Sequence, residues 1–122
     1  MPERLILVVE DEPSVSLVFT ELLEGAGFAV TACAAYPEAA IHLEVQRPAV
    51  LVTDIVLPGG SGLELAALAE KLGVPTLLVS GHPDHISREQ LGGAVKFLAK
   101  PFAMTELEAA LRDLLDPTRG KR

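Results

Sequence analysis

Cysteine is nearly absent from this chain. Cys33 stands alone among 122 residues, so neither an intramolecular disulfide nor a cysteine metal cluster can form. A reduced, cytoplasmic setting fits that scarcity. Cations are few as well: 10 Lys and Arg face 17 Asp and Glu, a net charge of -7, which disfavours nonspecific binding to nucleic acid. Long apolar runs are missing. None approaches the ~20 residues that a membrane-spanning helix needs. The stretch after Arg4 is five apolar residues that then meet Glu10 and Asp11, which is not the layout of a signal peptide. What the chain does have is a 49% hydrophobic composition, which excludes global disorder. Its length suits one domain that buries roughly two-thirds of its unfolded surface.

Strand-like and helix-like segments alternate. Strands are expected at 4–9, 28–33, 49–54, 75–80 and 95–99. The first, third and fourth are near-continuous apolar runs, as befits strands covered on both faces. The second, Phe28-Ala29-Val30-Thr31-Ala32-Cys33, is less apolar and suits an edge. Helices are expected at 13–25, 37–47, 62–72, 83–93 and 103–115. In the first, Val15, Val18, Phe19, Leu22 and Leu23 form one stripe, with Pro13 in the first turn and Gly25 or Gly27 as the stop. Ala40 and Leu43 face inward in the second, and Leu65, Leu68 and Leu72 in the third. Leu107, Ala110, Leu111, Leu114 and Leu115 do so in the last. The stretch 83–93 has only Ile86 and Leu91 as anchors and is the weakest of the five. Such alternation implies a doubly wound α/β fold, a five-stranded parallel sheet with helices on both faces.

Three of these strands end in charge. Leu5-Ile6-Leu7-Val8-Val9 stops at Glu10-Asp11, Ala49-Val50-Leu51-Val52-Thr53 at Asp54, and Val95-Lys96-Phe97-Leu98-Ala99 at Lys100-Pro101. A charge at the end of a buried strand is costly without a partner or a task. In open α/β sheets ligands sit beyond the carboxyl ends of the strands, where strand order reverses. Unit charges ~4 Å apart repel by about 4 kcal/mol at an effective dielectric near 20. Three carboxylates therefore call for protons or cations, and oxygen-only ligands suit Mg²⁺. Lys100 pairs with one acid when the ion is away. Taken singly, Glu10 and Asp11 read as helix-capping acids before Pro13, Asp54 as a loop acid and Ser80 as a turn residue before Gly81. The joint placement at strand ends argues against that reading.

Other motifs fail. Gly25-Ala26-Gly27 lacks a third glycine and precedes a strand, so it is no dinucleotide fingerprint. Gly59-Gly60-Ser61-Gly62 lacks a following lysine and makes a tight turn into the third helix instead. His42, His82 and His85 have no zinc-ligand companions, and Cys33 reads as a small apolar filler.

The segments Val8-Val9-Glu10-Asp11-Glu12-Pro13, Val52 to Gly62, Ser80-Gly81 and Phe97-Leu98-Ala99-Lys100-Pro101-Phe102 resemble, in order, the receiver domains of bacterial two-component response regulators. The resemblance covers nearly the whole chain, with a receiver domain at 1–117 and a basic tail at 118–122. It implies a flavodoxin-like fold with strand order 2-1-3-4-5. It also implies that Asp54 accepts a phosphoryl group from a phosphohistidine on a sensor histidine kinase or phosphotransfer protein. Asp11, Asp54 and the Val56 carbonyl would hold Mg²⁺, for which Mn²⁺ could substitute, with Glu10 acting directly or through water. Ser80 and Lys100 would neutralise the phosphoryl oxygens. Ser80 and Phe97 would be the switch pair, and the bond to Pro101 would be cis.

The family likeness also implies a signalling module, not an enzyme turning over an external substrate, though one that catalyses its own phosphoryl transfer and autodephosphorylation. Output would pass to a downstream protein or a fused output domain through the fourth helix, fifth strand and fifth helix, without direct nucleic-acid or membrane contact. The module would be a monomer or a phosphorylation-dependent dimer. A stand-alone regulator, a phosphorelay shuttle and a receiver excised from a hybrid kinase or longer regulator all fit. Three departures from the family pattern are an apolar Val56 two residues past Asp54, His82 two residues past Ser80, and a short segment between Ser80 and Lys100. Competing readings are a receiver-like binding module that is never phosphorylated, and a small Mg²⁺-dependent phosphohydrolase. The complete acid, hydroxyl and lysine set argues against the first, and the lack of room for a covering domain against the second.

Overall fold

The computed structural model describes residues 4–81 and 95–115. The helix expected over 83–93, His82 and the tail at 118–122 lie outside the described residues.

Five parallel strands carry the fold: β1 (Leu5–Val9), β2 (Ala29–Cys33), β3 (Val50–Asp54), β6 (Thr76–Ser80) and β7 (Val95–Ala99). A two-stranded antiparallel hairpin, β4 (Val56–Leu57) with β5 (Gly60–Ser61), follows β3 directly. Sheet order is β2-β1-β3-β6-β7, which is 2-1-3-4-5 once the hairpin is set aside. The reversal of order falls between β1 and β3. The described helices are α1 (Pro13–Gly25), α2 (Tyr36–Gln46), α3 (Gly62–Lys71) and α4 (Met104–Leu115). Among the described residues no helix is long and apolar enough to cross a membrane.

Side chains alternate across a strand, so each central strand feeds two cores. Ile6, Val8, Val50, Val52, Leu77, Val79 and Leu98 face α1 and α4, where they meet Phe19, Leu23, Leu107, Leu111 and Leu114. Leu7, Val9 and Leu51 face α2 and α3, where they meet Ala39, Leu43, Leu65 and Ala69. Each fully buried Leu, Ile or Val contributes about 1.5–3 kcal/mol of transfer free energy.

Two details of the helices differ from the sequence pattern. Val18 belongs to the expected stripe of α1 but is 54% exposed. At 3.6 residues per turn it sits about 100° round the helix from Phe19, whereas Val15, Leu22 and Leu23 stay within roughly 60°. In α2 the buried partner of Leu43 is Ala39, one turn before it, while Ala40 lies on the flank. Helix ends follow local chemistry. Pro13 occupies the first turn of α1, and Gly27 (φ 100°) supplies the left-handed residue beyond its end. Ser61 caps α3, its Oγ accepting the Leu63 N–H at 3.0 Å.

Candidate functional site

Strand alternation explains why particular acids meet. Glu10 continues the Ile6-Val8 face of β1, Asp54 the Val50-Val52 face of β3, and Lys100 the face of Leu98 on β7. All three emerge on the same side at the carboxyl edge. Ladder bonds extend to these ends: Glu10 N–H donates to Cys33 O at 3.0 Å, and Lys100 N–H to Ser80 O at 2.8 Å.

The side chains then converge. Lys100 Nζ lies 3.2 Å from Glu10 Oε1 and 3.3 Å from Asp54 Oδ2. Asp11 completes the group, and Glu10, Asp11 and Asp54 each offer an oxygen within 4.8 Å of the others. Exposure grades steeply. The side chain of Glu10 is 4% exposed, that of Asp54 19% and that of Lys100 29%, while Asp11 is open to solvent. Burial by itself lowers the Lys100 pKa. The charges of Asp54 and Glu10, with a hydrogen bond to each, outweigh that and hold it above the ordinary lysine value.

Backbone groups fix the acids. Glu10 Oε2 accepts the Glu12 N–H at 3.0 Å, and Asp54 Oδ1 accepts the Ile55 N–H at 2.6 Å. Glu10 thus closes the turn before α1, although the N-cap position is held by Glu12. The loop after Asp54 is held by the hairpin, which the sequence announces only as a turn. Leu57 is buried against α2 and α3, and Gly59 turns with φ 81°. Gly62 N–H donates to Ile55 O at 2.7 Å. A Cβ on Gly62 would overlap the Asp54 carbonyl oxygen, so only glycine allows this approach.

Val56 opens the hairpin with its side chain 75% exposed. Ser80 is 5% exposed and ends β6, one residue past the Asp54–Val79 register pair. Its position on β6 alternates with Leu77 and Val79, so it continues the opposite sheet face from Asp54. Phe97 is half-buried on β7 in register with Leu78 and belongs to neither buried cluster. The Lys100–Pro101 peptide is cis. Residues to which the sequence pattern gave no task at the site also shape it: Gly62, the Glu12 and Ile55 amides, and Phe102, whose ring meets Phe19 of α1. Among these, only the glycine-rich run around Gly62 carried a signal in the sequence.

The donor set fits a small hard cation. Its donors are carboxylate oxygens that converge on one solvent-facing point, which is the chemistry Mg²⁺ selects.

The family model for the response regulator receiver domain matches residues 6–112. The chain belongs to that family. This receiver domain is 34% identical over 116 residues to the phosphate regulon transcriptional regulatory protein PhoB of Rhizobium meliloti (strain 1021), covering 90% of the chain and 51% of that protein. Among solved structures, a response regulator receiver protein from Sinorhizobium medicae WSM419 matches with TM-score 0.87 and 28% identity, over 94% of this chain and 96% of that one. The receiver domain from the hybrid histidine kinase CckA matches with TM-score 0.78 and 29% identity, over 92% and 99%. The receiver spans 24% to 55% of the length of the curated relatives it matches. Membership of this family assigns the chain to two-component signalling, and the cluster of Glu10, Asp11 and Asp54 fits a phosphoacceptor role.

Proposed function

We propose that Asp54 is the phosphoacceptor of this receiver. A carboxylate oxygen of Asp54 forms the bond to phosphorus while the phosphorus–nitrogen bond of a phosphohistidine breaks. The imidazole nitrogen keeps the electron pair, and the product is an acyl phosphate. The observation that carries this reading is the ammonium of Lys100 held 3.3 Å from Asp54 Oδ2, beside two further acids at the switch point of the sheet.

Each residue has a part. Lys100 receives the phosphoryl oxygens and offsets their charge, and the Ser80 hydroxyl joins it by turning from its own sheet face toward Asp54 once the group is in place. Asp11, Asp54, the Val56 carbonyl and Glu10, the last directly or through water, are the groups that would hold Mg²⁺, or Mn²⁺ in its place. When bound, that ion neutralises the charge that builds on the phosphoryl oxygens. The protein's share is positioning: Ile55, Gly62 and the hairpin keep Asp54 in place before the donor arrives. Val56 has no group able to orient a water on the acyl phosphate. Phosphorylation replaces the -1 of the Asp54 carboxylate with about -2 on the acyl phosphate, and Phe97 carries the resulting shift toward the surface of β7 and α4.

The donor in this reading is a sensor histidine kinase or phosphotransfer protein. The recipient of the signal is a downstream protein or an output domain. The receiver acts in the cytoplasm as a signalling module, with no external substrate turned over.

Acetyl phosphate with Mg²⁺ tests the reading. Intact-mass spectrometry should show one phosphoryl group per chain, mapped to Asp54, and Asp54→Asn should take none while keeping its circular dichroism. Folded wild-type protein that stays unlabelled with Mg²⁺ present would overturn it.

A further inference from the structure

We infer that Tyr36 is a positioning residue for the phosphoacceptor loop. Its ring, seated where Gly60 has no side chain, holds the β4–β5 hairpin against α2. The inference rests on the phosphoacceptor reading above and adds to it a residue outside the acid cluster.

The hairpin needs outside support. Each arm is two residues long, and even longer isolated hairpins are marginal in water. Yet the hairpin follows Asp54 directly and contains Val56, whose carbonyl is among the groups that would hold the cation. Its place must therefore come from what it packs on. Leu57 is one anchor, buried in a cluster with Leu43 and Leu65.

Tyr36 is the other, and it holds the hairpin twice. Its N–H donates to Pro58 O at 3.0 Å. Ala35, the N-cap of α2, has no side-chain acceptor, so a hairpin carbonyl satisfies one of the first unpaired donors of that helix. Its side chain lies on Gly60. A Cβ added there would stand 2.6 Å from Tyr36 Cγ, 2.8 Å from Cδ2 and 3.0 Å from Cβ. Gly59 turns with φ 81°, but Gly60 has no left-handed backbone to accommodate. The missing side chain of Gly60 therefore serves the tyrosine ring and not the turn.

A short run of contacts leads from that ring to the carboxylate. Gly60 pairs with Leu57, and Ser61 with Val56. Next, Gly62 N–H donates to Ile55 O at 2.7 Å, and Ile55 N–H to Asp54 Oδ1 at 2.6 Å. A hairpin that slides on α2 carries both the Val56 carbonyl and the Asp54 carboxylate with it. Misplacement by about 1 Å can cost a reaction about 100-fold. The same turn also reaches the other acid-bearing loop, because Cys33 O accepts the Glu10 N–H at 3.0 Å.

Experiments on the full chain test this. Tyr36→Ala is expected to slow acetyl phosphate labelling of Asp54 by about tenfold or more, and to weaken Mn²⁺ binding read by electron paramagnetic resonance. Tyr36→Phe keeps the ring and should match wild type in both. Leu68→Ala is the control. Leu68 packs on the same core, but it lies roughly 10 Å along α3 from Ser61. That variant should lose stability and keep labelling near the wild-type rate.

The contact itself has its own readout. Tyr36 is the sole tyrosine and tryptophan is absent, so tyrosine emission reports this one ring. Gly60→Ala should change that emission in the folded protein. It should also lower the urea midpoint, and by much less in a Tyr36→Ala background. Tyr36→Ala that labels as fast as Leu68→Ala, or equal losses from Gly60→Ala in both backgrounds, would overturn the inference. If Tyr36→Ala does not fold, Gly60→Ala decides: unchanged emission, or labelling as fast as that of Leu68→Ala, sinks the idea. Wild type that labels while these tests fail removes only this inference. Wild type that never labels removes the phosphoacceptor reading, and the emission and urea measurements still judge the contact.

Discussion

The rings of Phe19 and Phe102 lie 5.6 Å apart, centroid to centroid, inclined at 37°. One belongs to α1 and the other follows Lys100 by two residues, so this contact ties the loop after β7 to the helix that follows the acid pair of β1. Phe19 is 4% exposed, and Phe102 is partly buried against the same core. Phe102→Ala should cost about 1–3 kcal/mol in urea unfolding, less than a fully enclosed phenylalanine. It should also slow labelling of Asp54 by acetyl phosphate more than it lowers stability would suggest, because the lysine loses its anchor. Phe102→Leu should restore most of both.

Glycine positions separate function from scaffold. Gly62→Ala places a methyl against the Asp54 carbonyl, so the backbone after β3 must move. The expected result is a loss of about 1–3 kcal/mol, of the order seen for overpacking, together with a fall in Asp54 labelling. Gly25, the last residue of α1, has nothing within 4 Å of an added Cβ. Gly25→Ala should stabilise by about 0.4–1 kcal/mol and leave labelling unchanged. Chemical denaturation and labelling rates of the two variants check the contrast.

Cys33 at the end of β2 has its thiol pushed up to about 11 from 9.0, first by burial and then by the charge of Glu38. The folded protein therefore keeps the proton between pH 9 and 11 while the unfolded chain loses it. Stability linked to this group is fully present below pH 9 and declines as pH rises through that window. At pH 8 the thiolate fraction of the folded protein is on the order of 100-fold below that of a free cysteine. Iodoacetamide should modify Cys33 slowly at pH 8 and far faster in denaturant. Equal rates in the two states would contradict the assignment.

Thr76 begins β6 at 0% exposure, and its hydroxyl has no hydrogen-bond partner among the described residues. A buried unpaired hydroxyl costs about 1–3 kcal/mol relative to a satisfied one. Thr76→Val replaces it with a methyl of similar shape and should raise stability by about 1 kcal/mol. Thermal and urea unfolding of the variant read the change.

Much of the architecture is legible because apolar runs and their breaks follow simple periods. The runs ending at Val9, Thr53 and Val79 mark central strands, and the weaker run ending at Cys33 marks the edge, where β2 lies. The hairpin β4–β5 was hidden since each arm is only two residues long, too short for any alternation to register. Val18 misled for a related reason. Spacing of three and four residues admits it to the stripe of α1, but a helix packed on a sheet buries a narrower arc than the pattern allows. Gly62 looked like turn chemistry, and its actual task, letting α3 approach the Asp54 carbonyl, depends on an element packed across the loop.

The order of residues alone determined which side chains stand at strand ends and which sheet face each continues, because alternation of period two carries Ile6 and Val8 to Glu10 and Val50 and Val52 to Asp54. Tertiary structure alone decided how Lys100 divides itself between Glu10 and Asp54, and which acid is enclosed and which is open. Those outcomes depend on distances between chain segments 46 and 90 residues apart. Such distances come from the crossing of helices over the sheet, which no local pattern of residues encodes.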